Sequence, residues 1–323
     1  MRGFLAMARA MERRCFCPPT KLFYKGSVIT IFTIFKEHRH FGKQIFRLSK
    51  TELIKQYKGA AIGPFWAIIK PAFTLFVYWF AFTVGIKNLG IVDIQMPNGS
   101  VQHFDRFIFM LTGFIPWWFI SESITHGAKA IRINRQFVTK VKFPVSTILT
   151  YTSLSRVYIH FLLSAIMIGI LGLYDCLFNT QFLSLYALQF FILCPIMFMF
   201  FLALTWTTAP MCAFSKDLES MITSVMSGIF WLTGVIYSSY DLPPTNMQHF
   251  LEFIMLINPI NFFVNAYRKA FIYHEAFWVS HTADPTGLGL NWELIIFVAE
   301  FLLVFFYGAH KYNKLRKTLP DVL

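Results

Sequence analysis

The chain has 323 residues, of which 56% are hydrophobic, 19% aromatic and only 14% charged, with a formal net charge of +13. Soluble domains usually carry about 25% charged residues and about 45–50% apolar ones, so the composition excludes an ordinary soluble domain and places the chain in a bilayer. The positive charge reads as an orientation signal and as contact with anionic lipid, rather than as nucleic-acid binding.

Residues 1–40 are basic and irregular, broken by Pro18-Pro19, and read as a cytoplasmic N-terminal extension. The apolar run Val28 to Phe35 is too short for a span and no small-residue cleavage pattern follows, so no cleaved signal peptide is expected. From Phe41 to Tyr57 the pattern becomes helical. Lys43, Arg47 and Lys50 recur at i, i+4 and i+7, with Phe41, Ile45 and Leu48 on another face. Such a helix, 41–57, fits the membrane interface, its apolar side towards acyl chains and its lysines towards headgroups. The same basic face could also meet the diphosphate of a lipid-linked substrate.

Apolar runs long enough to cross about 30 Å of hydrocarbon fall near 64–86, 105–127, 147–174, 183–209, 220–240 and 292–310, which predicts six spans. The first opens with YKGAAIGPFWAIIKPAF, where Gly59, Gly63, Pro64 and Pro71 permit a tight bend and Lys70 is unusually deep for a charge. Snorkelling is its simplest explanation. The second span carries GFIPWWF and runs into the loop 129–143, whose Lys129, Arg132, Arg135, Lys140 and Lys142 precede Pro144. This loop is too short to fold as a domain. A basic turn of helix tethered between two spans is placed to be pushed by another protein, although an ordinary positive cytoplasmic loop has the same composition. Between the fifth and last spans, Phe250 to Asn258 and Ile260 to Tyr273 are short helical pieces split by Asn258-Pro259. Neither can cross, so 241–277 is predicted to be a re-entrant hairpin. A basic tail occupies 311–323.

Nearly all of the 29 Lys and Arg residues lie in 1–70, in the 128–143 loop, at Lys216 and after His310. The alternate segments hold Lys87, Arg106, Arg268 and Lys269, and Arg156 falls within the third span. That asymmetry predicts both termini in the cytoplasm. The cysteines, Cys15, Cys17, Cys176, Cys194 and Cys212, lack metal-ligand spacing and read as packing. Glu122 and His126, Arg156 and His160, and Glu300 are ionisable groups inside spans; a Glu–Arg pair between spans, a hydrated wall or a proton relay would each account for them.

Taken in order, YKGAAIGPFWAIIKPAF, GFIPWWF, NRQFVTKVKFPVSTI, FSKDLES, GVIYSSYDLP and INPINFFVNAYRKAFIYHE resemble the landmarks of ABC-2 type exporter permeases for O-antigen, teichoic acid or capsular polysaccharide. Lys70, Glu300 and the long N-terminal extension depart from that pattern. The resemblance implies an all-α integral membrane protein with six transmembrane helices, working as a homodimer above two copies of a separate ABC ATPase. ATP and Mg2+ would then belong to the partner, and no GxxxxGK[ST] loop occurs here. It also implies a coupling helix, to which Arg132, Asn134, Arg135, Phe137, Lys140, Lys142 and Phe143 are assigned. A polysaccharide channel needs aromatic faces for sugar rings and small polar groups for hydroxyls. Phe114, Trp117 and Trp118, with Thr223, Ser227, Phe230 and Tyr237 on one face of the fifth span, are candidates, though helix packing and interfacial belts use the same residues. The expected activity is export of lipid-linked polysaccharide or teichoic acid. Export of a drug or small lipid, or less readily ion-coupled transport, would suit the same topology, whereas no carboxylate cluster suggests an enzyme.

Overall fold

The computed structural model describes residues 31–85, 90–95, 100–139, 143–238, 240, 247–280 and 291–319. The Pro18-Pro19 break, Cys15, Cys17, Lys140, Lys142 and residues 241–246 of the expected hairpin lie outside the described residues.

Helix α1, Ile31–Tyr57, begins before the Phe41 start expected from periodicity. Its first turns are tied down by polar contacts that sequence spacing does not reveal: Glu37 accepts from Ser146 Oγ at 2.5 Å and from Arg316 Nη1 at 3.0 Å, and His38 Nε2 lies 2.5 Å from Thr150 Oγ1. Ile45 and Leu48 pack on Ile148 and Tyr151. The apolar stripe is thus buried against another helix of the chain rather than turned to acyl chains, and Lys43, Arg47 and Lys50 remain exposed.

A tight elbow leads into α2, Gly63–Gly85. Gly59 and Gly63 adopt φ of 90° and 56°, left-handed values that a side chain disfavours, so both glycines are required by the turn. Strands β1, Ile91–Gln95, and β2, Val101–Asp105, then form an antiparallel hairpin with Ile91 opposite Asp105. The hairpin was not anticipated. Asp105 ends it and caps the next helix, accepting from Phe107 N at 2.7 Å.

Helix α3, Arg106–Ile133, is the central post, buried along most of its length. Around it stand α5, Val145–Phe178, α6, Leu185–Phe214, and α7, Lys216–Trp231. Close approach relies on small residues, as elsewhere among membrane helices. A Cβ on Gly127 would overlap Thr205 Cγ2, and one on Gly113 would lie 2.7 Å from Val235 O. A five-residue helix, α4, Arg135–Thr139, occupies the loop between α3 and α5.

Five helices among the described residues are long and apolar enough to cross a membrane: α2, α3, α5, α6 and α10, Trp292–Leu315. The expected fifth span, 220–240, is helical only through Trp231, and the chain turns over Leu232 to Tyr237. At 1.5 Å per residue α7 extends roughly 24 Å, short of the bilayer core. Helices α8, Gln248–Ile257, and α9, Pro259–Tyr273, meet at Asn258 with an 89° bend, forming a re-entrant loop or a broken sixth span. Asn258 makes the corner by accepting from Ile260 N at 3.0 Å. Apart from the hairpin, the chain is an all-α integral membrane protein.

Candidate functional site

The elbow between α1 and α2 brings two one-turn pairs face to face. Trp66 and Lys70 are four apart on α2, as are Trp118 and Glu122 on α3, so each pair shares a helix face. With Gln56 and Tyr57 from the end of α1 they line a cavity of about 250 Å³. Lys70 Nζ stands 5.4 Å from the centre of the Trp118 ring and 3.8 Å from Glu122 Oε1. Burial raises the Tyr57 phenol above its ordinary value and keeps it protonated.

Glu122 is the hub. Its Oε2 lies 3.0 Å from His126 Nε2 and accepts from Arg156 Nη1 at 3.3 Å. Arg156, almost wholly buried on α5, also donates to Gln56 Oε1 at 2.6 Å. One carboxylate therefore faces three potential cations from α2, α3 and α5. Its two oxygens differ: Oε2 has close partners, whereas Oε1 has the looser Lys70 contact. His160, one turn from Arg156, is instead buried and lies 2.6 Å from the Tyr267 hydroxyl.

The expected channel-lining residues divide into groups. Phe114 and Trp117 pack on Phe230 at 5.5 and 5.2 Å, and Tyr78 joins them at 5.1 Å from Phe230, in a buried aromatic cluster. Trp118 points to the cavity instead. Thr223 and Ser227 lie on the exposed face of α7, while the Tyr237 hydroxyl donates to Trp231 O at 2.8 Å.

The loop residues divide as well. Arg132 pairs with Glu219 in the first turn of α7, and Lys129 Nζ lies 3.7 Å from the same carboxylate. Asn134 is buried and donates to Ala130 O at 3.1 Å, closing α3. The Phe137 and Phe143 rings pack at a tilt with centroids 5.9 Å apart, and Phe41 meets Phe143 at 5.3 Å, so this end of the loop rests on α1. Arg135 is exposed. Sequence reasoning missed Gln56 and Glu219. Glu219 had a usable signal, as an acidic residue in FSKDLES on the side predicted to carry the positive loops. Gln56 had none. Among the described residues no group of three His, Cys, Asp or Glu could hold a metal.

Membrane-length helices around a buried post, with a charged cavity at the elbow and a basic loop between the second and third membrane helices, define a multi-pass membrane protein. Comparison with known proteins is specific about the kind. The ABC-2 type transporter family matches residues 43–272, and the chain belongs to that family. It is similar to the O-antigen export system permease protein RfbA of Myxococcus xanthus, 25% identical over 231 residues covering 72% of this chain and 81% of that protein. It is also similar to a protein of the same name from Klebsiella pneumoniae, 23% identical over 279 residues covering 85% of this chain and 93% of the relative.

Proposed function

We propose that this chain is the transmembrane permease subunit of an ATP-driven exporter that moves lipid-linked cell-surface polysaccharide or teichoic acid across the cytoplasmic membrane. The observation that carries the reading is the likeness, over 85% of the chain, to a protein named as an O-antigen export permease. Two copies form the passage and two ABC ATPase subunits, binding ATP and Mg2+, drive it; the permease itself has no catalytic role. Both termini are cytoplasmic, a placement supported by the Lys and Arg asymmetry. Arg135, Phe137 and the neighbouring Lys140 and Lys142 meet the ATPase, and Arg132, Asn134 and Phe143 hold that loop to the helices behind it. The channel runs along the open face of α7 at Thr223 and Ser227, with Phe114, Trp117, Phe230 and Tyr237 behind it and Trp118 at its approach. Lys43, Arg47 and Lys50 face the headgroup region, where they meet anionic lipid and the diphosphate of the cargo. No nucleic acid is involved.

The test is to co-express the chain with the ATPase of its own gene cluster, purify the pair, and identify bound glycan by mass spectrometry. A polyprenyl-diphosphate-linked glycan is expected. A complex that carries a drug-like molecule or a simple lipid in its place would overturn the cargo assignment.

A further inference from the structure

The cavity at the elbow is not explained by packing. It keeps an ammonium group, a carboxylate, a carboxamide and two indoles around an open space of about 250 Å³. Pockets that take whole drug-sized ligands measure about 300–1,000 Å³, so this one suits a single ring of a larger molecule.

The charges narrow the class. Arg156 is sequestered behind the wall by Gln56 and Glu122, and among the described residues Lys70 is the one cationic side chain in the cavity lining. The Glu122 carboxylate sits directly beside it. A phosphate placed there would meet one cation and one anion, which is poor recognition for a dianion. A neutral polyhydroxyl ring suits the same pair. The 3.8 Å between Lys70 Nζ and Glu122 Oε1 exceeds a hydrogen bond. A hydroxyl oxygen beside the pair, about 2.8 Å from each, could accept from the ammonium and donate to the carboxylate. The indoles of Trp66 and Trp118 offer flat apolar faces for the C–H side of the same ring.

We infer that this cavity is a monosaccharide subsite, which holds one pyranose ring of the glycan between the Trp66 and Trp118 indoles, with its hydroxyls on Lys70 and Glu122. The inference rests on the polysaccharide reading above and specifies one place where that cargo touches the permease.

The test uses the permease–ATPase complex in nanodiscs. One probe is the lipid-free oligosaccharide released by mild acid from the producing cells' own surface polymer, and the other is polyprenyl diphosphate without sugar. Dissociation constants are measured for wild type, Trp118→Ala, Lys70→Met and a control away from the cavity on the exposed face of α5, Leu162→Ala, and polymer export is scored in cells carrying each form. Wild type and the control should bind the oligosaccharide alike, and each cavity variant about tenfold more weakly. Polyprenyl diphosphate should not compete. Lys70 is well exposed, so its variant remains informative if Trp118→Ala fails to fold. Oligosaccharide binding unchanged in Lys70→Met, or displaced by the sugar-free diphosphate, would refute the subsite while cells that still export polymer would leave the exporter reading standing. Absence of export by the wild-type complex would remove both.

Discussion

Helix α3 touches two buried arginines that are solved in opposite ways. Near its start, Arg268 of α9 is fully buried with its guanidinium 3.7 Å over the Phe109 ring. It donates to Gly234 O, to Tyr237 O at 3.2 Å and to Val235 O at 2.7 Å, and among the described residues none of these bonds goes to a carboxylate. Its partners are carbonyl oxygens of the turn that follows α7, whose partial negative charge suits a guanidinium. Near the other end of α3, Arg156 answers to a carboxylate that also serves His126 and the exposed Lys70. The first arrangement is closed, and its hydrogen bonds all go to backbone carbonyls, so it holds the turn after α7 in place. The second is open on one side and shares one anion among several cations, so a hydroxyl can enter without dismantling the fold.

The contrast predicts unequal costs. Arg268→Met leaves the buried Gly234 and Val235 carbonyls, and the half-buried Tyr237 carbonyl, without their donor, and on the order of 3 kcal/mol or more of stability should be lost. Arg268→Lys should restore little, because one ammonium cannot reproduce a planar fork that bonds several carbonyls at once. Thermal unfolding in detergent, followed by size-exclusion chromatography, reads both. If Arg268→Lys matched wild type, the site would be a simple cation socket and the contrast would fail.

Glu122→Gln should cost less, about 1–2 kcal/mol, because the amide still accepts a hydrogen bond from Arg156 and only the charge is lost. Adding Arg156→Met should recover part of that loss, since the buried cation without its anion is then gone. A thermal-shift double-mutant cycle measures the coupling. Strictly additive losses would mean that Glu122 and Arg156 do not act as a pair, and the cluster would be three independent contacts.

The same contrast explains what the amino-acid order reveals. Hydropathy locates α2, α3, α5, α6 and α10 because a membrane helix must be predominantly apolar over about 20 residues. It misplaces the end of α7. Leu232, Val235 and Ile236 continue the apolar run, yet the helix stops at Trp231, and the Gly234 and Val235 carbonyls in the turn beyond it accept from an arginine far along the chain. The hairpin at Ile91–Gln95 and Val101–Asp105 had a local signal in Asn98-Gly99, overlooked between two spans. At the candidate site, Lys70 was visible as an oddity and Glu122 as an intramembrane acid. Their meeting depends on the Gly59–Gly63 elbow, and periodicity along one helix carries no information about the helix opposite.

The smallest structural effect belongs to Arg135, where the consequence should be functional instead. Of the described residues assigned to docking, Arg132 is engaged by Glu219, Asn134 is buried as a helix cap, and Phe137 and Phe143 pack against each other. Arg135 is exposed at the first position of α4. Arg135→Glu should change the stability of the isolated permease by no more than about 0.5 kcal/mol. Against a partner surface, reversing one rim charge is worth roughly 1 kcal/mol, so affinity for the ATPase should fall about fivefold, more at low salt than at high. Titration of labelled ATPase onto the permease in nanodiscs at two salt concentrations measures this, with Lys311→Glu near the C-terminal end of α10 as the charge-reversal comparison. Equal weakening by both variants would mean that general electrostatics holds the ATPase, and the loop between α3 and α5 would lose its special standing.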